Sequence, residues 1–165
     1  MRGLMMAAPM ALALVACGGD KDGSGDSAAG GGDYADEVAA VESAISGFEG
    51  WDQPVPGIVA SGNGHPQFVQ NWANDVAVDT INAAGGGDMP DGAILVKQGY
   101  NDADGTDLGN LTVMWKTDGD WFWVAFNPAG DAVASGYTAD VQQQCVSCHE
   151  ANAEQQDLVI TYAPW

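Results

Sequence analysis

Basic residues are almost absent from this chain of 165 residues. It contains 4 lysines and arginines against 23 aspartates and glutamates, which gives a formal net charge of −19. A field of that sign repels phosphate backbones and anionic lipid headgroups, so the composition excludes nucleic-acid binding. The acidity indicates a soluble surface, a saline habitat or a basic protein partner, and the sequence leaves these three explanations open.

Long hydrophobic runs are also missing, since no apolar run reaches the ~18 residues of a membrane-spanning helix. A shorter apolar stretch, residues 4–16, follows Arg2 and is typical of a secretory signal peptide. It ends in Leu-Val-Ala-Cys at residues 14–17, which resembles a bacterial lipobox. We therefore predict a lipoprotein signal peptide over residues 1–16 and lipid attachment at Cys17. The alternative is an ordinary signal peptide with a chance cysteine.

The segment after Cys17 has no large apolar side chain and cannot bury a core. Residues 17–33 are therefore predicted to be a flexible acidic tether, and residues 34–165 a single domain. The protein is expected to be exported, to face the periplasm and to be held only by its lipid. Gly18 after the cysteine favours the outer membrane.

Two helices are predicted in the first half of the domain. Apolar residues at helical spacing predict the first over residues 34–48, with Asp33 as its N-cap. Asn74 is predicted to cap the second, which runs to about Ala84. Thr138 is predicted to cap a third, near the C-terminus.

The middle of the domain is rich in β-branched and aromatic residues separated by turn formers. Strands are predicted over residues 67–72, 93–100, 111–116 and 121–127, with a closing strand over residues 158–162. Short connections between neighbouring strands imply an antiparallel meander. The predicted fold class is α+β, an antiparallel β-sheet with helices covering one face.

Cysteine is scarce, with 3 in the chain, and two of them stand in the run Cys145-Val-Ser-Cys148-His149. The pattern C-x-x-C-H is an attachment site for c-type haem: the thiols bond the porphyrin and the histidine ligates the iron. The alternatives are a redox cysteine pair and half of a zinc site. A zinc site would need further ligands, and the only other histidine is His65. We predict one covalently attached haem c, with His149 as the axial ligand of its iron.

Three segments resemble the cytochrome P-460 family. They are MPDGAILVK at residues 89–97, WFWVAF at 121–126 and CVSCHEANA at 145–153, followed by Asp157-Leu158-Val159. The resemblance runs from about residue 51 to residue 162. It implies an antiparallel sheet, often in a homodimer, that holds haem c and oxidises hydroxylamine. A relative on the same fold, cytochrome c-prime-beta, binds nitric oxide and carbon monoxide.

The resemblance also implies roles for individual residues. In cytochrome P-460 a lysine of the PDGxxxVK strand is bonded covalently to the porphyrin edge, and it matches Lys97. The family places a proton-accepting carboxylate two residues after the haem histidine, where this chain has Ala151. Glu150 and Glu154 are therefore the candidate proton acceptors.

Three functions remain open from the sequence. The first is oxidation of hydroxylamine or nitric oxide, with electrons passed to another cytochrome. The second is non-catalytic binding of nitric oxide or carbon monoxide. The third is simple electron transfer with Met89 or Met114 as sixth ligand. His65, between Gly64 and Pro66, is interpreted as a turn residue rather than a sixth ligand.

Overall fold

The computed structural model describes residues 33–61, 64–83, 87–153 and 157–160. The predicted signal peptide, Cys17, the tether before residue 33 and Glu154 lie outside the described residues. None of the helices in the described part is long and apolar enough to cross a membrane.

Six antiparallel strands form one sheet, and each strand pairs with its neighbours along the chain. They are β1 (Val59–Ala60), β2 (Phe68–Ala73), β3 (Ile94–Tyr100), β4 (Leu108–Thr117), β5 (Asp120–Phe126) and β6 (Ala132–Tyr137). The predicted meander is confirmed, and β2 to β5 match the predicted strands to within a few residues. The sequence prediction missed β1 and β6, which form the two edges.

Helices pack on both faces of the sheet, so the prediction that they cover one face is wrong. Helix α1 (Ala35–Ala44) buries Val41 in a cluster with Val96 on one face. Helix α2 (Asp75–Asn82) buries Ile81 in a cluster with Leu95 on the other face. Because both faces are covered, consecutive residues of the central strands are buried, and the strands read as nearly continuous apolar runs.

The ends of the first two helices differ slightly from their predicted positions. Tyr34 occupies the N-cap position of α1, and the Asp33 side chain accepts only a long bond, 3.4 Å, from the backbone N–H of Ala35. The helix ends at Ala44, and Gly47 adopts φ 77 before a 3₁₀ turn over Phe48–Gly50. The cap predicted for α2 is confirmed: Asn74 Oδ1 accepts from the N–H of Ala77 at 3.1 Å.

The C-terminal segment departs most from the sequence prediction. Thr138 lies in a turn rather than at a helix start, and a π-helical turn over Gln142–Val146 leads directly into α3 (Ser147–Ala153). Residues 157–160 form turns instead of the predicted strand, whose last two residues, 161 and 162, lie outside the described residues.

Candidate functional site

The cysteines and histidine of the C-x-x-C-H run lie on consecutive helical turns. Cys145 belongs to the π-helical turn, and Cys148 and His149 belong to α3. A π turn widens the helix by one residue and occurs frequently at functional sites. All three side chains line one cavity between this segment and the sheet. The structure therefore brings together the residues that the sequence predicts to bind haem.

The cavity has a volume of about 280 Å³. This is close to the lower end of the roughly 300–1,000 Å³ range of small-molecule and cofactor sites. Its wall on the sheet side includes the apolar side chains of Leu95, Met114 and Trp123. The Trp123 ring packs edge-on against the His149 ring, with centroids 4.8 Å apart. The cavity is thus largely apolar, and the polar residues that the sheet contributes to it include Asn71, Lys97 and Thr112.

The imidazole of His149 is held in the orientation and tautomer that a metal ligand needs. It is 7% exposed, and its Nδ1 lies 2.7 Å from the carbonyl oxygen of Leu158. A carbonyl only accepts, so Nδ1 carries the proton and Nε2 is left with its lone pair. Burial lowers the pKa of His149 to about 4, against the opposing effect of the Leu158 bond. The ring is therefore neutral near pH 7.

Leu158 is placed by an unusual turn that sequence reasoning did not detect. Asp157 and Leu158 have φ values of 48 and 65, in the left-handed region that non-glycine residues rarely adopt. Such strain persists only where surrounding contacts impose it, and it collects at functional sites. Here it directs a backbone carbonyl at His149.

Asp157 supplies the contacts that hold this turn. Its carboxylate forms an ion pair with Lys116 Nζ at 3.0 Å and accepts from the N–H of Met89 at 2.9 Å. Its backbone carbonyl accepts from Trp121 Nε1 at 2.8 Å. Lys116 is 8% exposed and lies over the Trp121 ring, 5.1 Å from its centroid. The network connects two strands and the β2–β3 connection to the segment that orients His149.

Lys97 lines the same cavity, on the face of β3 that also carries Leu95. Its neighbours across the sheet are Asn71 on β2 and Thr112 on β4. Burial lowers the pKa of Lys97 to about 8, although the charge of Cys148 raises it in part. Thioether formation would remove the charge on that sulfur. The structure therefore places an amine with an appreciable neutral fraction beside the predicted haem attachment residues.

Asn71 is a polar residue of the cavity that the sequence analysis missed. It is 5% exposed, and its Oδ1 has no hydrogen-bond partner among the described residues. Leaving a buried acceptor unpaired costs about 1–3 kcal/mol. The sequence could not reveal this role, because a polar residue in a strand usually faces solvent. Only the folded structure shows that Asn71 lines a cavity beside Lys97.

His65 also lines the cavity, so interpreting it as a turn residue alone was incomplete. Its ring centroid lies 6.2 Å from that of His149, with an interplanar angle of 74°. Burial lowers the pKa of His65 to about 3, with smaller contributions from Lys97 and His149. Both histidines of the chain thus meet in one cavity as neutral imidazoles.

Of the other predicted candidates among the described residues, Met114 reaches the cavity, and Glu150 and Met89 do not. Glu150 is exposed and its carboxylate accepts from Gln142 Nε2 at 3.1 Å, so the structure places this predicted proton acceptor outside the cavity. Met89 is buried in the core without lining the cavity, whereas Met114 lines it. Glu154, the other predicted proton acceptor, lies outside the described residues. No carboxylate of the described residues lines the cavity.

The donor set of the cavity fits a haem group. Cysteine pairs at this spacing form thioethers, neutral imidazole binds iron, and an apolar wall suits a porphyrin. Within the described ranges, no group of three or more histidine, cysteine, aspartate or glutamate side chains is placed to hold a metal ion on its own.

This fold and this site define a haem-binding cytochrome built on an antiparallel sheet. The chain belongs to the cytochrome P-460 family: the family model described as Cytochrome P460 matches residues 45–161. The family assignment made from the three motifs is thereby confirmed. No curated protein matches the chain.

Proposed function

We propose that this chain carries one covalently attached haem c and uses it to bind and oxidise a small nitrogen species. Hydroxylamine and nitric oxide are the substrates we propose, with the electrons passed to another cytochrome. The observation that supports this proposal is that Cys145, Cys148, His149 and Lys97 all line one largely apolar cavity. When bound, the haem supplies an iron ion that binds the small molecule and accepts its electrons.

The protein contributes ligation and selection. His149 would bind the iron through Nε2, and donation from Nδ1 to Leu158 makes the ring a more basic ligand. Asn71 lines the cavity, and a rotation of its side chain would let the unpartnered Oδ1 accept a hydrogen bond from a ligand with an N–H or O–H group, as hydroxylamine has. Charged molecules would lose hydration against Leu95 and Trp123, so the cavity favours small neutral ones.

Non-catalytic binding of nitric oxide or carbon monoxide is the second candidate. It is favoured by the absence of a carboxylate among the described residues that line the cavity. Oxidation of hydroxylamine releases protons with the electrons, so a catalytic site needs a proton acceptor. In the described part of the cavity, the neutral amine of Lys97 is better able to accept one than the imidazole of His65, because a pKa of about 3 makes that imidazole a weak base.

We also propose a location and partners for this protein. Lipid on Cys17 would hold it at the outer membrane, facing the periplasm, with residues 17–33 as the tether. A net charge of −19 suits docking of a basic cytochrome as electron acceptor. A homodimer is the proposed assembly.

The purified holoprotein tests the function in two assays. Carbon monoxide is added to the reduced protein while its absorption spectrum is followed, and hydroxylamine is added with a ferric basic cytochrome c as acceptor. We expect carbon monoxide to shift the Soret band and hydroxylamine to drive continuous reduction of the acceptor. A carbon monoxide shift without hydroxylamine turnover would select the gas-binding function. If carbon monoxide shifts no band and hydroxylamine drives no reduction, both candidate functions are contradicted.

Asn71→Leu sharpens this test because leucine keeps the approximate size of asparagine and removes the acceptor. Loss of a hydrogen bond at a buried site costs about 1.4 kcal/mol, which corresponds to about a tenfold rise in the KM for hydroxylamine. Carbon monoxide has no hydrogen to donate, so its affinity should not fall.

A bond from Lys97 to the porphyrin edge is the second proposal about this cavity. The amine nitrogen would replace a porphyrin hydrogen, so that an N–H and a C–H bond are lost as two protons and two electrons. Hydrogen peroxide would accept the two electrons and the two protons and be reduced to two molecules of water. The lowered pKa of Lys97 supports the proposal, because the neutral amine is the nucleophile.

Trypsin digestion and mass spectrometry test the bond directly. Lys97 and Lys116 are the only tryptic sites after residue 21. A modified Lys97 is not cleaved, so we expect residues 22–116 to remain joined through haem to residues 117–165. Lys97→Arg, which keeps the positive charge, should release a haem peptide of residues 117–165 alone. Recovery of that free haem peptide from the unaltered protein would contradict the bond.

A further inference from the structure

Both histidines of the chain lie at the cavity, yet the proposed haem attachment uses only one of them. His65 belongs to the segment that precedes β2, and His149 belongs to α3. They are 84 positions apart in sequence and approach each other only because the chain folds as it does. His65 makes no hydrogen bond to the other described residues, so its ring nitrogens are available to a ligand.

The spacing of the two rings matches coordination of one metal ion from opposite sides. A metal–imidazole bond is about 2.0–2.1 Å, and the ring centre lies roughly 1 Å behind the bonded nitrogen, so two such rings have centres about 6 Å apart. The observed separation of His65 and His149 is 6.2 Å. Their interplanar angle of 74° is compatible with this arrangement, because each ligand ring is free to rotate about its metal–nitrogen bond.

The segment carrying His65 is seated on the sheet by its next residue, Pro66. A Cβ atom built on Gly99 of β3 would lie 2.4 Å from Pro66 Cγ, and one built on Gly109 of β4 would lie 2.6 Å from it. Any side chain at either glycine would therefore displace the proline. The two glycines leave space for Pro66, and the proline holds His65 at the edge of the cavity.

We propose that His65 coordinates the haem iron opposite His149 when no small ligand is bound, and that a small ligand enters by displacing it. The inference rests on the proposed haem site. It specifies that the distal position is closed by a protein side chain in the resting state, rather than open. Small ligands then compete with His65 for the iron. The apparent affinity for a ligand equals its intrinsic affinity multiplied by the fraction of protein in which His65 is not bound to the iron.

Spectroscopy of the ferric holoprotein tests this without an activity assay. We expect a low-spin absorption spectrum and low-spin electron paramagnetic resonance for the unaltered protein. His65→Ala should convert the iron to high spin, and added imidazole should restore low spin by filling the vacated position. Gln67→Ala, an exposed residue of the same segment that does not line the cavity, is the matched control and should stay low spin.

Carbon monoxide binding to the reduced protein gives a second, kinetic readout. In the unaltered protein the observed rate should level off at high carbon monoxide, because dissociation of His65 becomes limiting. In His65→Ala it should rise in proportion to concentration, with apparent affinity about tenfold or more higher. A high-spin unaltered protein with linear kinetics would overturn the inference and leave the proposed function standing. Persistence of low spin in His65→Ala would also overturn it, and Met114→Ala would then test the other ligand.

Discussion

Replacing His149 with alanine is expected to lower the haem content of this protein and to alter its haem spectrum. The residue supplies the only imidazole of the C-x-x-C-H run, and its Nε2 is left free by the 2.7 Å contact of Nδ1 with Leu158. Without it the iron would lose its proposed protein ligand, even if both proposed thioether bonds form. Haem content measured per polypeptide should fall, and any haem that remains attached should differ in its Soret and visible bands. The proposed oxidation of hydroxylamine should fall at least in proportion to the haem content.

Ser147→Ala is the matched control, because Ser147 is exposed and lies inside the same run. It should leave both haem content and spectrum unchanged. A His149→Ala variant with the haem content and spectrum of the unaltered protein would show that another residue is the proximal ligand.

The central strands were predictable because their residues carry the signal themselves. β3, β4 and β5 are rich in β-branched and aromatic residues and are separated by glycine- and aspartate-containing turns. The edge strands β1 and β6 were not predictable, because their residues lack this signal. β1 has two residues, and β6 contains small residues and an exposed Val133, so neither shows the apolar alternation of a packed strand.

The C-terminal turn shows where local pattern fails. Residues 158–162 read Leu-Val-Ile-Thr-Tyr, which is a strong β pattern. In the structure Asp157 and Leu158 adopt left-handed backbone angles, and the carbonyl of Leu158 accepts from His149. Those angles interrupt an extended strand. A tertiary hydrogen bond and a largely buried ion pair thus favour a turn in a segment whose composition favours a strand.

The residues of the candidate site also fall into two groups, those that a local motif reveals and those that only the folded structure brings to the cavity. Cys145, Cys148 and His149 were predicted as haem-binding residues because the spacing of their short motif is typical of that chemistry, and the structure places all three at one cavity. Asn71 and His65 carry no such local signal, since their roles depend on cross-strand register with Lys97 and on the seating of Pro66. A resemblance to a family transfers only the residues that its motifs contain, and these two lie outside the quoted motifs.

Asp157 contacts both Lys116 and the turn that orients His149, the proposed haem ligand. Asp157→Ala leaves Lys116, which is 8% exposed, without its ion-pair partner. The pair is largely but not fully buried, so removing one partner should lower the free energy of unfolding of the holoprotein in urea by up to about 3 kcal/mol. The N–H of Met89 also loses its acceptor.

A double variant separates stability from positioning. In Asp157→Ala combined with Lys116→Met, no buried charge is left unpaired, and most of the lost stability should return. The haem spectrum and reduction potential should remain altered, because the turn that directs the Leu158 carbonyl at His149 still lacks its carboxylate contacts. Recovery of both properties in the double variant would show that Asp157 acts only through the charge of Lys116. Altered haem properties in a stable protein would establish Asp157 as a positioning residue for His149, acting through Leu158.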